Sequence, residues 1–144
     1  FALEWGIINL DGIRTLVSHG DTIDRTNTRY LMLRKILRSR MFYRIQKNIP
    51  SILLWKIARI SSKISNEHLG KSLDGLVEIM GAFTIEKFKE GFDAVILGHC
   101  HTPTIKQYVI DGREKTFVTL GDWISHYSYL LYEDGKFTLS FYRP

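Results

Sequence analysis

The sequence has 144 residues, 44% hydrophobic and 24% charged, with a formal net charge of +5 and a single cysteine. These values suit one globular domain and exclude an internal disulfide framework. No run of about 18 uncharged apolar residues occurs, so no transmembrane helix is expected.

Charge is distributed unevenly. Arg25 to Lys63 holds eleven Lys and Arg residues and no Asp or Glu, which leaves −6 on the remainder (+5 less +11). A basic block on an acidic body calls for an anionic partner, whether nucleic acid, phospholipid headgroups or a phosphorylated substrate. The chain starts at Phe1, without a basic segment leading into an apolar one. No signal peptide is therefore expected, and the sequence is expected to begin inside a longer protein.

In chain order, Trp5–Leu10 and Gly12–Ser18 read as a hairpin around Asp11-Gly12. The second strand leads into His19-Gly20-Asp21-Thr22-Ile23-Asp24. A helical region follows, in which Leu33, Ile36, Leu37, Arg40, Met41, Arg44 and Ile45 set an apolar stripe beside a basic one. Asn48 and Pro50 end it. A second helix holds Ile52, Leu53, Trp55, Ile57, Ile60 and Ile64, and it is apolar on more than one side. This basic, greasy stretch is either a helical hairpin packed on the body or on a dimer mate, or a surface for an apolar ligand. Ser72 or Asp74 is placed to cap a third helix running to about Lys89, with Gly91 beyond its end. Five strands are expected after it: Asp93–Leu97, Ile105–Ile110, Thr116–Leu120, Tyr127–Tyr132 and Lys136–Tyr142. Asp111-Gly112 and Asp134-Gly135 form turns between two pairs of them. The order of strands, helical insert, helix and β-meander predicts an α/β domain with a mixed sheet.

The chemistry concentrates where strands end. Gly98-His99-Cys100-His101-Thr102-Pro103 follows the apolar run Asp93–Leu97. In an extended segment the two imidazoles at i and i+2 point to one side, about 6.5–7 Å apart. Two metals of a binuclear centre lie about 3.5–4 Å apart, so such a step places one imidazole on each. His19 also follows a strand beside a glycine, and neighbouring strand ends are where α/β proteins assemble sites. Hard divalent ions need carboxylate oxygen as well. Asp21 reads as a ligand, as an acceptor orienting an imidazole, or as a partner for turn amides. Asp24 and Asp122 read as structural carboxylates, and His68 and His126 as hydrogen-bonded structural histidines. Cys100, between the two imidazoles, is expected to point away from them as a buried, inert thiol.

Ser18-His19-Gly20-Asp21-x-x-Asp24 and Gly98-His99-Cys100-His101-x-Pro103 resemble the last two signature blocks of the calcineurin-like metallophosphoesterases. The tail Phe117-Val118-Thr119-Leu120-Gly121-Asp122-Trp123 before a hairpin, with the basic helical insert, resembles the UDP-2,3-diacylglucosamine hydrolase family of lipid A synthesis. The resemblance covers essentially the whole chain. It implies part of a four-layer α-β-β-α sandwich over residues 1–144, with a lid inserted at about 25–70. It implies two divalent metal ions, manganese first, while iron or zinc suits the ligand types equally. His19 and His99 match ligands of one metal, and His101 a ligand of the other. Substrate contacts are implied at Asn27 (where many members carry Asp), Ser62, Lys71 and His99.

The implied reaction splits the pyrophosphate of UDP-2,3-diacylglucosamine into UMP and 2,3-diacylglucosamine 1-phosphate. The implied setting is cytoplasmic and peripheral to the inner membrane. The implied partners are this lipid-linked nucleotide and an anionic membrane surface rather than nucleic acid. The family's Asp-x-His, Gly-Asp-x-x-Asp and Gly-Asn-His-Asp blocks do not occur in the chain. The bridging carboxylate, the Asn ligand and the assisting His are therefore expected upstream of Phe1, and this chain alone is expected to be inactive. Two other functions remain open: a phosphoesterase acting on a nucleotide, phosphoprotein or nucleic acid, and a non-enzymatic basic module binding lipid or nucleic acid.

Overall fold

Hydrophobic runs of two different periods divide this chain between a sheet and helices, and a computed structural model shows how they assemble. It describes residues 5–26, 28–67 and 73–143. By contacts the chain falls into two compact units, Phe1–Ile23 with Leu73–Pro144, and Asp24–Ser72.

The first unit is built on a mixed five-stranded sheet. Strand β1 (Trp5–Leu10) pairs antiparallel with β2 (Ile13–Ser18). The Asp11-Gly12 turn between them has φ of 50° and 92°. Positive φ at both central residues gives the turn the twist of its strands, which is why Asp-Gly stands there. Strand β3 (Ala94–Leu97) lies parallel to β2 and to β5 (Arg113–Thr119), and β4 (Thr104–Ile110) runs antiparallel along β5 at the edge. The spatial order is β1-β2-β3-β5-β4. β6 (Ser128–Glu133) and β7 (Lys136–Phe141) form a separate two-stranded sheet. The expected mixed sheet is present, whereas the meander is not. β5 inserts between β3 and β4, because the fully apolar β3 is buried best with a partner on each side.

Helix α4 (Leu73–Lys89) packs on β3 and β5. Its end is closed by Gly91 N–H to the Phe88 carbonyl (3.1 Å) and Phe92 N–H to the Lys87 carbonyl (3.2 Å), the Schellman pattern. Val77, Met80 and Phe88 face Leu16, Val95, Leu97 and Phe117 in one core cluster. The opposite sheet face, with Ala94, Ile96 and Val118, is buried too.

At the N-terminal end of the parallel strands, Asp93 ties three of them together. Its Oδ1 accepts from the buried Lys115 Nζ at 2.6 Å, and its Oδ2 accepts from Arg14 N–H at 3.0 Å. Asp93 N–H donates to the Arg14 carbonyl (2.8 Å), and Thr116 N–H donates to the Asp93 carbonyl (2.9 Å).

The second unit contains α1 (Thr28–Leu37), α2 (Arg40–Gln46) and α3 (Ser51–Glu67). The sequence pattern suggested one helix across Leu33–Ile45, but the chain breaks there. Ser39 takes an extended conformation, and its hydroxyl accepts from Phe42 N–H at 3.0 Å, so α2 starts afresh. α1 packs on both α2 and α3. Among the described residues of this unit none is fully buried. Met32, Met41, Ile52 and Trp55 are each at least two-thirds exposed, Trp55 at 77%. No described helix is long and apolar enough to cross a membrane.

The Lys115 ammonium beside Asp93, helped by Arg14 N–H, lowers the Asp93 carboxyl below its ordinary range against the opposing effect of burial. A carboxylate that ionises more readily in the fold stabilises it above the unfolded value of about 3.9, and that contribution is lost as pH falls through the folded value. Asp93→Asn is therefore expected to melt lower than the parent protein at pH 7, with the gap narrowing as pH falls towards 3. A constant gap across that range in thermal melts would count against the linkage.

Candidate metal centre

The parallel register places the candidate residues together. Ser18 pairs with Leu97, and Leu97 with Thr119. Two further bonds continue the ladder: Gly98 N–H to the Ser18 carbonyl (3.2 Å) and Leu120 N–H to the Leu97 carbonyl (2.7 Å). His19 and His99 thus leave adjacent strands at the same level. Their ring centroids lie 5.2 Å apart, edge to face.

Gly98 makes this approach possible. A Cβ there would stand 3.3 Å from both Nδ1 and the carbonyl oxygen of His19, closer than side chains normally pack. His19 and His101 are exposed and His99 is half-buried, so the imidazoles are open to solvent.

The His99–His101 step departs from the extended geometry expected of it. β3 ends at Leu97, and His99 and His101 have φ of 68° and 53°. Left-handed backbone at a non-glycine residue is uncommon, and histidine tolerates it better than most. Cys100 N–H donates to the Gly98 carbonyl at 2.8 Å, closing a three-residue turn on His99. Thr102 Oγ1 donates to the Cys100 carbonyl at 3.2 Å, bridging His101. Thr119 Oγ1, fully buried, donates to the Thr102 carbonyl at 2.6 Å. The side to which each imidazole points therefore follows from this turn, not from strand alternation. The Cys100 side chain is buried in the core cluster.

Two of the candidate carboxylates are hydrogen-bonded within their own turns. Asp122 Oδ1 accepts from Ile124 N–H (2.8 Å), from Ser125 N–H and from His126 N–H (3.4 Å). Its Oδ2 lies 2.6 Å from His126 Nδ1. The Ser125 amide and the His126 ring hold its carboxyl far below the usual range. Asp122 is thus a turn carboxylate, and His126 is its hydrogen-bonded partner. Asp24 caps its own turn, accepting from Thr26 N–H (2.9 Å) and Thr26 Oγ1 (2.6 Å). Asp21 is buried two residues after His19.

Among the described residues, no group of three or more His, Cys, Asp or Glu stands close enough to hold a metal. The His19–His99 pair fits part of a divalent-metal site. It does not fit a whole one, because hard ions also need carboxylate oxygen. Of the expected substrate contacts, Asn27 and Lys71 lie outside the described residues, as does the side chain of Ser62; His68 and Ser72 also lie outside them, as does the side chain of Asp74. Thr102 and Thr119 carry no sequence signal, since a threonine near a strand end is ordinary. The narrow spacing at Gly98 could have been suspected from glycine beside histidine.

Loops after the carboxyl ends of adjacent parallel strands are where α/β proteins bind their ligands. Relatives of this chain include a UDP-2,3-diacylglucosamine hydrolase of Aliivibrio fischeri (strain MJ11), 28% identical over 134 residues, or 92% of this chain and 56% of that protein. The enzyme of that name from Vibrio cholerae serotype O1 (strain ATCC 39315 / El Tor Inaba N16961) is 32% identical over 128 residues, 88% of this chain and 53% of the relative. That of Pseudomonas putida (strain ATCC 700007 / DSM 6899 / JCM 31910 / BCRC 17059 / LMG 24140 / F1) is 30% identical over 121 residues, 81% and 49% respectively. The chain is a homologue of the UDP-2,3-diacylglucosamine hydrolases, and it spans about half the length of the curated relatives it matches. No protein-family model matches it.

Gly98→Ala is expected to push the His19 ring and backbone aside by a few tenths of an ångström. Overpacking of this kind costs about 1–3 kcal/mol. Urea denaturation should show that loss, and the His19 ring resonances should move in NMR spectra. A variant with unchanged stability and an unchanged His19 signal would contradict the close approach.

Proposed function

We propose that this chain supplies one side of a two-metal centre that hydrolyses the pyrophosphate of UDP-2,3-diacylglucosamine. Water adds at the α-phosphorus, giving UMP, and the bridging oxygen leaves with 2,3-diacylglucosamine 1-phosphate. The observation that carries the proposal is the pairing of His19 and His99 at the ends of two adjacent parallel strands, with ring centroids 5.2 Å apart. The substrate is that of the relatives, UDP-2,3-diacylglucosamine hydrolases.

His19 and His99 hold one metal and His101 the other, with manganese first and iron or zinc equally suited to the ligand types. Bound there, divalent ions stabilise the charge that develops on the phosphoryl oxygens. The imidazoles themselves fix where the ions sit and leave an open face for the phosphate. His99 also contacts the substrate, as do Asn27, Ser62 and Lys71. In this reading the five-stranded sheet and α4 form one half of the α-β-β-α sandwich.

Asp24–Ser72 acts as the lid that receives the acyl chains. Its Lys and Arg residues suit the pyrophosphate and an anionic membrane surface, and its exposed Met32, Met41, Ile52 and Trp55 suit hydrocarbon. The protein then works at the cytoplasmic face of the inner membrane as a peripheral enzyme.

Two measurements test this. In the intact protein, His99→Ala and His101→Ala should each lose bound metal by elemental analysis, with circular dichroism unchanged. Each should also lower UMP release by more than the roughly 10–100-fold expected for an outer-shell partner. Full metal content and activity in both variants would refute the centre. Separately, the protein should sediment with vesicles containing phosphatidylglycerol and not with neutral phosphatidylcholine vesicles, and salt should weaken the binding. Tight, salt-sensitive binding to DNA without a vesicle preference would overturn the lipid reading.

A further inference from the structure

His99 and His101 both sit in left-handed backbone, which is unfavourable for an L-residue and persists only where the surroundings over-determine it. The chain of hydrogen bonds around them is therefore informative. Cys100 N–H to the Gly98 carbonyl (2.8 Å) closes the turn on His99. Thr102 Oγ1 to the Cys100 carbonyl (3.2 Å) closes the turn on His101. Both bonds lie within the loop, and neither ties it to the sheet. Gly98 N–H ties the start of the loop to the Ser18 carbonyl (3.2 Å) and Cys100 is buried in the core; beyond the two histidines, the side-chain tie is Thr119, whose hydroxyl donates to the Thr102 carbonyl at 2.6 Å.

Thr119 is suited to this task. It is fully buried in the last position of β5. It pairs with Leu97 on one side and Thr104 on the other, so its backbone is held by the ladder from both flanks. A buried hydroxyl with one short bond to a loop carbonyl is a fixed donor. Valine would fill the same space and leave the carbonyl without it.

We infer that Thr119 is a positioning residue: from the end of an interior strand its hydroxyl anchors the Gly98–Pro103 turn through the Thr102 carbonyl, and so holds His99 and His101 in the arrangement that takes metal. The inference rests on the metal-centre reading above. Thr119 touches no metal and no substrate. It acts as outer groups around metal sites do, by restricting how the ligands are aimed.

The test is a titration of the metal-free intact protein with Mn²⁺ alone, followed calorimetrically, beside the thermal melt of the same metal-free samples. Thr119→Val is expected to weaken Mn²⁺ about 10–100-fold. Thr119→Ser, which keeps the donor, should stay within about threefold of the parent. The conservative rescue separates positioning from packing, because serine removes the methyl group and valine removes the hydroxyl. Thr102→Val cuts the neighbouring link at a half-buried site and should weaken Mn²⁺ in the same direction, so the inference stays testable if Thr119→Val folds poorly. Parent-like Mn²⁺ affinity in the valine variants, alongside a loss in His99→Ala, would overturn the role of Thr119 and leave the centre standing. Equal weakening by serine and valine would also overturn it, in favour of a packing role. Absence of Mn²⁺ binding in the parent, or parent-like binding in His99→Ala, would overturn the metal centre itself and this inference with it.

Discussion

The parallel pairing of β2, β3 and β5 is the constraint from which the rest of the first unit follows. Its register sets Ser18, Leu97 and Thr119 abreast. Gly98 and Leu120 extend the ladder by one hydrogen bond each beyond the strands. In a parallel sheet all strand ends of one kind lie on one edge, so whatever follows them meets there. His19 and His99 meet for this reason, although they lie eighty positions apart in sequence (99 less 19). At the opposite edge the same three strands are cross-tied by Asp93, with Lys115 and the Arg14 backbone as its partners. An ion pair at that depth is weak evidence for net stability. It does fix which residues lie opposite each other, and a slip of one residue would turn every side chain to the wrong face.

Stiffness and strain are placed close together. β3 is buried at every position, and α4 lies over it with Met80, Phe88 and Val77 in the shared core. Immediately beyond this strand, two histidines adopt left-handed backbone. Strain of that kind survives when the flanking structure leaves the loop few alternatives. Here Gly98 is paired to Ser18, Cys100 is buried in the core, and Thr102 is bonded to Thr119. The thiol between the two imidazoles is thus an anchor for the turn.

Local chemistry was legible in the sequence, and non-local geometry was not. The Asp-Gly turns, the helix end at Gly91 and the strand runs depend on residues within a few positions of each other, and they stand where their composition implies. The break at Ser39 was hidden because a hydroxyl cap can be outvoted by an apolar stripe on either side of it. The order β3-β5-β4 was hidden because burial of an apolar strand, rather than sequence adjacency, selects its partners. For the site, the histidines could be named from their place after apolar strands. Their backbone could not, since φ at His99 and His101 depends on hydrogen bonds to Gly98, Thr102 and Thr119 rather than on residue type. Asp122 shows the converse. A carboxylate after a strand looks available until the amides of Ile124, Ser125 and His126 are seen to occupy it.

The connection from β2 to β3 runs through the second unit. In the first unit it needs only a crossover helix, and α4 is that helix. The chain instead departs at Asp24, five residues after His19, and rejoins at Leu73. An insertion at this point leaves the parallel ladder intact, because it lengthens a loop instead of a strand. Its own stability is of a different kind. None of its described residues is fully buried, and large apolar side chains such as Trp55 and Ile52 stay mostly in solvent. Few buried contacts mean a low local cost of opening. So many exposed apolar groups, on a segment with no acidic residue from Arg25 to Asn66, are not explained by the unit's own packing. The sheet edge is held by the ladder and by buried side chains, whereas the basic insertion keeps its large apolar groups in solvent.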